Sequence, residues 1–439
     1  MHRIEIKNFG PIKHFEAELK DLMFFIGPQA SGKSTISKII FFCRKLPDEL
    51  LSSFENMVKE ELDHFPRLID IVYLYLGQSA RVYFGEIEGK FIYYINSQYS
   101  VHFQRSAENI EIFMSKSLEE QLNPLLEQFK LFKQATQTTI NYQEIVAAQR
   151  IFSTNIRAKL LELFADNHFN TFIPAGRAGV ARLAKQPIQL NNGRIVMSDS
   201  IPDPTVAMFL YLLSVAKNSS STSIEQWLET AKRAGGFFDM DAELFSLAVN
   251  KVKNILKGEY RYEKLSEMVW LFFDGKTIDL ERTSSGQQEV VWILYIILKL
   301  LLEKRSVFIV IEEPEAHLFP ETQNQLVEFF GLFANAKPDN QLLITTHSPY
   351  ILTALNNLIY AYQVGQKNPE AVNQLIPKQF WIDPRRVAAY FVENGTVRSI
   401  MDDELQHINA EEIDRASDLT NSLHEQLLEV ELAGESDGM

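Results

Sequence analysis

The chain has 439 residues, 43 of them Lys or Arg and 57 Asp or Glu, for a formal net charge of −14, and 46% of it is hydrophobic. A globular chain of this size is expected to form about three domains or lobes and to bury a core without disulfides or structural metal. The single cysteine, Cys43, excludes a disulfide framework and a cysteine zinc site, the nine histidines show no metal-ligand spacing, and the longest apolar stretch, Val290 to Leu302, contains Lys299 and falls short of the ~20 residues that span a bilayer.

No internal repeat or low-complexity tract interrupts the chain. Residues 2–7 and 15–20 alternate apolar and polar, which predicts two short strands around the turn Asn8-Phe9-Gly10-Pro11. Leu22 to Ile26 is continuously apolar, as in a buried strand, and a glycine-bounded loop then leads into a helix from about Lys33 to Arg44. Ala80 to Gln104 reads as two or three strands with a turn at Glu88-Gly89, and Ala107 to Asp166 reads as helical, interrupted at Pro124. A strand Thr171–Ile173 precedes Pro174-Ala175-Gly176-Arg177, which by itself reads as a tight loop with a surface arginine. Residues 202–258 read as helical with a break at Gly235-Gly236, and Trp270 to Leu280 as a hairpin turning at Asp274-Gly275. An apolar helix, Glu289 to Glu303, is followed by buried strands at Val307–Ile311 and Gln341–Thr345.

The acidity is concentrated at the C-terminal end. Residues 401–439 hold twelve acids and one base, Arg415, leaving a net charge of only −3 on the other 400 residues. Glu411 to Leu432 reads as an amphipathic helix with Ile413, Leu423, Leu427, Leu428 and Val430 on its apolar side, suited either to packing on the body or to docking a partner. The opening Met1–Ile6 lacks the apolar segment of a signal peptide, so a cytoplasmic protein without a membrane partner is expected.

Four segments carry chemistry. Gly27-Pro28-Gln29-Ala30-Ser31-Gly32-Lys33-Ser34-Thr35 fits G-x-x-x-x-G-K-[ST] between a strand and a helix. Its glycines let the backbone N–H groups face phosphates at a helix N-terminus, Lys33 can reach the β- and γ-phosphates of ATP, and Ser34 can ligand Mg²⁺. Glu312 and Glu313 end a buried strand, where Glu312 is suited to Mg²⁺ and Glu313 to orienting the attacking water. Ser284-Ser285-Gly286-Gln287 opens a helix, either as a plain N-cap or as a second anion-binding terminus. His347, at the end of the last strand, is suited to contact the γ-phosphate or water, or serves as a structural histidine.

Taken in chain order, as phosphate loop, serine-glycine segment, strand with two Glu and strand with His, the four segments resemble ABC-type ATPases of the RecF, SMC and OLD-like branch, over residues 1–45 and about 270–355. Ile4–Ile12 is similar to that branch's first strand, Glu312-Glu313-Pro314-Glu315-Ala316-His317-Leu318 to its Walker B and D-loop, and Thr346-His347-Ser348-Pro349 to its switch. The resemblance implies an α/β fold, a P-loop NTPase head whose mixed sheet has an antiparallel β lobe, with a helical insertion. The corresponding division is an N-lobe at 1–105, an insertion at 106–265, a C-lobe at 266–400 and an acidic tail at 401–439. It also implies head-to-tail dimers or higher homo-oligomers, in which Ser284, Ser285, Gly286 and Gln287 act in trans on ATP held by the opposite head, with Glu313 and His347 catalytic. Glu312 stands where many relatives have Asp, and the glutamine loop is unassigned, with Gln98 and Gln104 as candidates.

The 92 residues after His347 show no clear Toprim nuclease set, and the stretch 107–166 is too short and irregular for an SMC coiled coil. A stand-alone ATPase of this kind resembles the ATPase subunits of bacterial anti-phage systems, Septu foremost, with PARIS and retron-associated ATPases related; Pro174-Ala175-Gly176-Arg177 looks like a segment that recurs in them, a reading that stands beside the surface-arginine one. That likeness implies regulation of a separately encoded nuclease of HNH type. The alternative is a RecF-like repair ATPase acting on DNA through a basic face of Arg150, Arg157, Lys159, Arg177, Arg182, Lys185 and Arg194.

Overall fold

The computed structural model describes residues 2–57, 67–106, 109–138, 142–183, 189–191, 194–196, 203–219, 229, 242–263, 268–273, 276–303, 305–409 and 426. The break at Gly235-Gly236, the turn at Asp274-Gly275 and nearly all of the 411–432 helix lie outside these residues.

The chain opens with β1 (Arg3–Phe9), β2 (Ile12–Glu18) and β3 (Leu22–Ile26), then α1 (Lys33–Met57) and α2 (Leu68–Phe84). The strands β4 (Gly89–Tyr94), β5 (Ser100–Arg105) and β6 (Ile110–Met114) precede α3 (Lys116–Thr138), α4 (Tyr142–Leu163), β7 (Phe169–Ile173) and α5 (Arg177–Leu183). A small hairpin of β8 (Gln189–Asn191) and β9 (Arg194–Val196) leads to α6 (Pro204–Ser219), α7 (Ala242–Leu256), β10 (Glu259–Glu263), β11 (Met268–Phe273) and β12 (Lys276–Asp279). Then come α8 (Ser285–Leu301), β13 (Val307–Glu312), α9 (Pro320–Ala336), β14 (Gln341–Thr346), α10 (Pro349–Gly365), α11 (Pro369–Leu375), and the hairpin β15 (Val387–Glu393) and β16 (Thr396–Ser399).

One 11-stranded sheet runs β6-β5-β4-β1-β2-β16-β15-β3-β14-β13-β7. Its β15-β3-β14-β13-β7 half is parallel, and β1, β2, β4, β5 and β6 form an antiparallel lobe, which is the mixed sheet the motifs implied. Side-chain alternation gives the parallel half two buried faces. Leu22, Phe24, Val307, Ile309 and Ile311 join α8, α9 and α10 in one core, whereas Met23, Phe25, Phe308 and Val310 join α1 and the antiparallel lobe in the other. A strand buried on both faces is continuously apolar for this reason.

Several boundaries differ from the expected ones. Ala80 to Phe84 is helix, not strand: Ile69, Val72, Leu76, Ala80 and Tyr83 make one buried helical stripe, which ends at Gly85 with φ +54°. Residues 110–114 are a strand inside the stretch expected to be helical, because Ile112 and Met114 alternate into the core. Pro124 does not interrupt α3, and α1 runs on past Arg44 through Pro47 to Met57. A proline inside a helix costs ~3 kcal/mol, an amount that two fully buried side chains offset. Leu46, Leu50 and Phe54 supply that burial in α1, and Leu118, Leu122 and Phe129 in α3.

Candidate active site

The parallel strands deliver the site at their C-terminal ends. Leaving β3, the 27–33 loop packs under the β1–β2 turn, where a Cβ on Gly32 would stand 2.4 Å from Ile12 Cδ1 and 2.9 Å from Pro11 Cγ. Gly32 has φ +107° and Ala30 φ +58°, so the loop coils through left-handed backbone and turns its amides to one side. Among the described residues, the N–H groups of Gly32, Lys33, Ser34 and Thr35 donate to no protein carbonyl, and the first loop-to-helix bond is Ile36 N to Gly32 O. Unpaired amides at the start of a 25-residue helix are the donor set that a polyphosphate requires.

Lys33 lies within this coil. Its ammonium donates to Gly27 O at 2.9 Å and Pro28 O at 2.8 Å, and stands 3.4 Å from His347 Nδ1. Burial pulls Lys33 down to about 8, against the opposing pull of Glu313, Glu315 and Glu312. On the other side of the imidazole, His347 Nε2 is 3.0 Å from Glu313 Oε1. With Nδ1 accepting from the ammonium, the Nε2–H tautomer donates to the carboxylate. The His347 hydrogen bond holds the Glu313 carboxyl below its usual range, with Lys33 and Arg177 acting in the same direction and burial opposing.

Glu312 and Glu313 are unlike in setting. Glu312 is buried, with Oε1 3.3 Å from the Ser37 hydroxyl and Oε2 accepting from Ala175 N at 3.4 Å. Glu313 is over a third exposed, has φ +44°, and donates its N–H to Thr345 O at 2.8 Å. Ser34 is exposed and lies on the turn of α1 preceding Ser37. Among the described residues no three His, Cys, Asp or Glu side chains cluster as a protein-only metal site. One carboxylate and one hydroxyl beside a phosphate cradle fit Mg²⁺, which is usually held by one or two carboxylates together with substrate phosphates.

Ser284 and Gln287 form a reciprocal capping box at the start of α8, so the N-cap reading is correct as far as it goes. Ser284 and Ser285 are nevertheless exposed, and Gln287 is tied to Leu256 O at 2.8 Å. Gly286 is required by close approach, since a Cβ there would stand 2.6 Å from His317 O. Among the described residues no hydrogen bond joins this motif to the 27–35 loop of the same chain.

Sequence reasoning missed two connectors. Glu315 Oε1 accepts from Thr346 Oγ1 at 2.7 Å and from His347 N at 2.8 Å, tying the end of β14 to the acidic segment. Arg177 is not on the surface. It is fully buried, its Nη1 2.6 Å from Glu312 O and its Nη2 2.9 Å from Glu313 O, and it therefore leaves the proposed basic face. The phrase Pro174–Arg177 was the available signal. Of the glutamine-loop candidates, Gln98 sits in the Asn96–Tyr99 turn and Gln104 pairs with Lys90 in the sheet.

A family model described as an AAA ATPase domain matches residues 1–352. Among solved structures, the chain is similar to an Smc head bound to the C-winged helix domain of ScpA, with TM-score 0.42, 10% identity, and 91% of this chain and 96% of that chain covered. It is also similar to the SMC head domain from Thermotoga maritima, with TM-score 0.37, 10% identity, and coverage of 91% and 97%. A third is the Smc head with an extended coiled coil bound to the C-terminal domain of ScpA from Pyrococcus furiosus, with TM-score 0.36, 9% identity, and coverage of 91% and 96%. No curated protein matches the chain. Among the described residues, no helix is long and apolar enough to cross a membrane.

Proposed function

Because the chain belongs to the AAA ATPase domain family and is an ATPase, we propose that it works as a switch whose ATP sites are completed by a second copy. The observation that carries this reading is the continuous line Lys33–His347–Glu313, which joins the phosphate loop to an exposed carboxylate. In this reading the amides of residues 27–35 and Lys33 hold the ATP phosphates. Glu313 orients a water in line with the γ-phosphorus and takes its proton as the bond to ADP breaks. His347 fixes the Glu313 side chain, and Ser34 and Glu312 would hold Mg²⁺, which would supply charge neutralisation on the phosphates. The exposure of Ser284 and Ser285, with no hydrogen bond among the described residues from them to the loop of their own chain, supports a role for 284–287 in trans, on ATP bound by the opposite head.

The division into 1–105, 106–265, 266–400 and 401–439 belongs to the same proposal, with the 106–265 segment contributing β7 to the main sheet. The output we favour is control of a separately encoded nuclease in anti-phage defence, supported by the likeness of the motif set to such ATPases and by the acidic 401–439 segment. The DNA-repair alternative loses Arg177 to burial, and Arg157 and Lys159 are paired with Asp48 and Glu162. Co-purification with genomic neighbours, followed by nuclease assays with and without ATP, tests this output. An ATP-responsive nuclease in the complex supports it, and a dimer that binds bare DNA alone contradicts it.

A further inference from the structure

Arg177 is fully buried, and the protein supplies a partner for each of its side-chain nitrogens. Nε lies 3.2 Å from both Glu289 O and Glu289 Oε2. Nη1 donates to Pro174 O at 3.0 Å and Glu312 O at 2.6 Å, and Nη2 donates to Glu313 O at 2.9 Å. Glu289 returns the clamp: its Oε2 accepts from Arg177 N at 2.9 Å and its Oε1 from Ala178 N at 3.1 Å. A planar guanidinium thus ties α8 to the backbone of Glu312, which ends β13, and of Glu313, which follows it.

This clamp has a direction. Glu289 is one helical turn beyond Ser285, and both belong to the helix that starts at the 284–287 motif, of which Ser284 and Ser285 are exposed. Glu313 sits in left-handed backbone, with its N–H fixed by Thr345 and its carbonyl fixed by Arg177. Left-handed backbone is costly for a residue with a Cβ and persists only where its surroundings hold it. A displacement of the α8 N-terminus therefore reaches the Glu313 carbonyl through two consecutive rigid contacts.

We propose that Arg177 is a positioning residue that couples occupation of the 284–287 motif by a second copy to the placement of Glu313 for hydrolysis. This rests on the ATPase reading above, with Glu313 acting on water and 284–287 acting in trans. Lysine keeps the charge but lacks the planar fork, so it cannot hold α8 and both carbonyls at once.

The experiment uses the full chain with Arg177→Lys and, separately, Glu289→Gln. Three quantities are read: affinity for a non-hydrolysable ATP analogue, ATP-driven association in a Glu313→Gln background, and kcat at saturating ATP. A misplacement of about 1 Å costs on the order of 100-fold in rate. The coupling predicts that kcat falls by about 10- to 100-fold in both variants, while analogue affinity and association stay near wild type. Unchanged kcat overturns the proposal, and so does a loss of kcat accompanied by equal losses of affinity and association, which marks a structural role. If Arg177→Lys fails to fold, Glu289→Gln decides by the same criteria. Glu313→Gln alone is the control: full turnover there would overturn the assignment of Glu313 to the attacking water, on which the coupling rests.

Discussion

His347 Nε2 and Glu313 Oε1 stand 3.0 Å apart, at the C-terminal ends of the neighbouring parallel strands β14 and β13. Parallel register brings Thr345 opposite Glu312, so Glu313, one residue on, and His347, two residues on, are delivered to the same edge of the sheet. The pair owes its existence to topology, since 34 residues separate its members in the chain.

In the proposed mechanism, Glu313→Gln removes the group that accepts a proton while leaving a side chain of the same size. Loss of a positioned general base costs about 100- to 10,000-fold in rate. Steady-state phosphate release is expected to fall into that range with nucleotide affinity retained. Turnover within about twofold of wild type would remove Glu313 from the chemistry.

Lys33→Ala removes the cation that the loop holds 2.8–2.9 Å from Gly27 O and Pro28 O. A charge-assisted hydrogen bond contributes ~1.5–3 kcal/mol, so nucleotide affinity is expected to weaken by about 10- to 100-fold. Calorimetric titration with ATP checks this, and unchanged affinity would argue against the loop as the phosphate site.

The same lysine makes binding depend on pH. Its folded value of about 8 lies below the ordinary 10.5. Between the two the unfolded chain holds more protons, so burying Lys33 costs stability that is lost in full below about pH 8 and regained as pH rises toward 10.5. A bound polyphosphate favours the ammonium, so above pH 8 binding takes up a proton and affinity falls by up to about tenfold per pH unit. Affinities measured at about pH 7 and about pH 9 should differ in this sense. A flat profile would contradict the placement of Lys33 beside the phosphates.

The parallel half of the sheet was legible because strands buried on both faces must be continuously apolar, as Leu22–Ile26 and Val307–Ile311 are. The phosphate loop was legible because it is contiguous. Arg177 was not, since its partners Glu289, Glu312 and Glu313 lie more than 110 residues away and nothing local distinguishes a buried arginine from an exposed one. Ala80–Phe84 was misread because Ala-Arg-Val-Tyr-Phe satisfies both an alternating and a helical pattern, and the helical one is decided by Ile69, Val72 and Leu76 upstream. Pro47 and Pro124 were misleading for the opposite reason: a local cost is visible in sequence, and the packing that offsets it is not.

At the other end of the sheet, Arg44 and Asp166 form a buried pair at 3.0 Å, each about 2% exposed. Arg44 also reaches Gln341 Oε1 at 2.8 Å and His168 Nδ1 at 3.0 Å. Asp166→Ala leaves that guanidinium buried without its counter-charge, an arrangement that typically costs ~3–5 kcal/mol. Urea unfolding should show a loss of this size, and a loss below about 1 kcal/mol would mean that His168 and Gln341 suffice.

Ser285→Arg tests the trans role of the signature without removing the Ser284 cap. Ser285 is exposed and makes no side-chain bond among the described residues, so folding and single-chain nucleotide binding should persist. ATP-driven association and turnover should both be lost. Full turnover would mean that 284–287 is only a helix start.

The central claim, that two copies complete each other's sites, is tested most directly by the solution mass of Glu313→Gln with and without Mg²⁺–ATP. The account predicts one chain without nucleotide and two with it, the dimer persisting because hydrolysis cannot reopen it. A mass that is the same in both conditions, with ATP demonstrably bound, would contradict it.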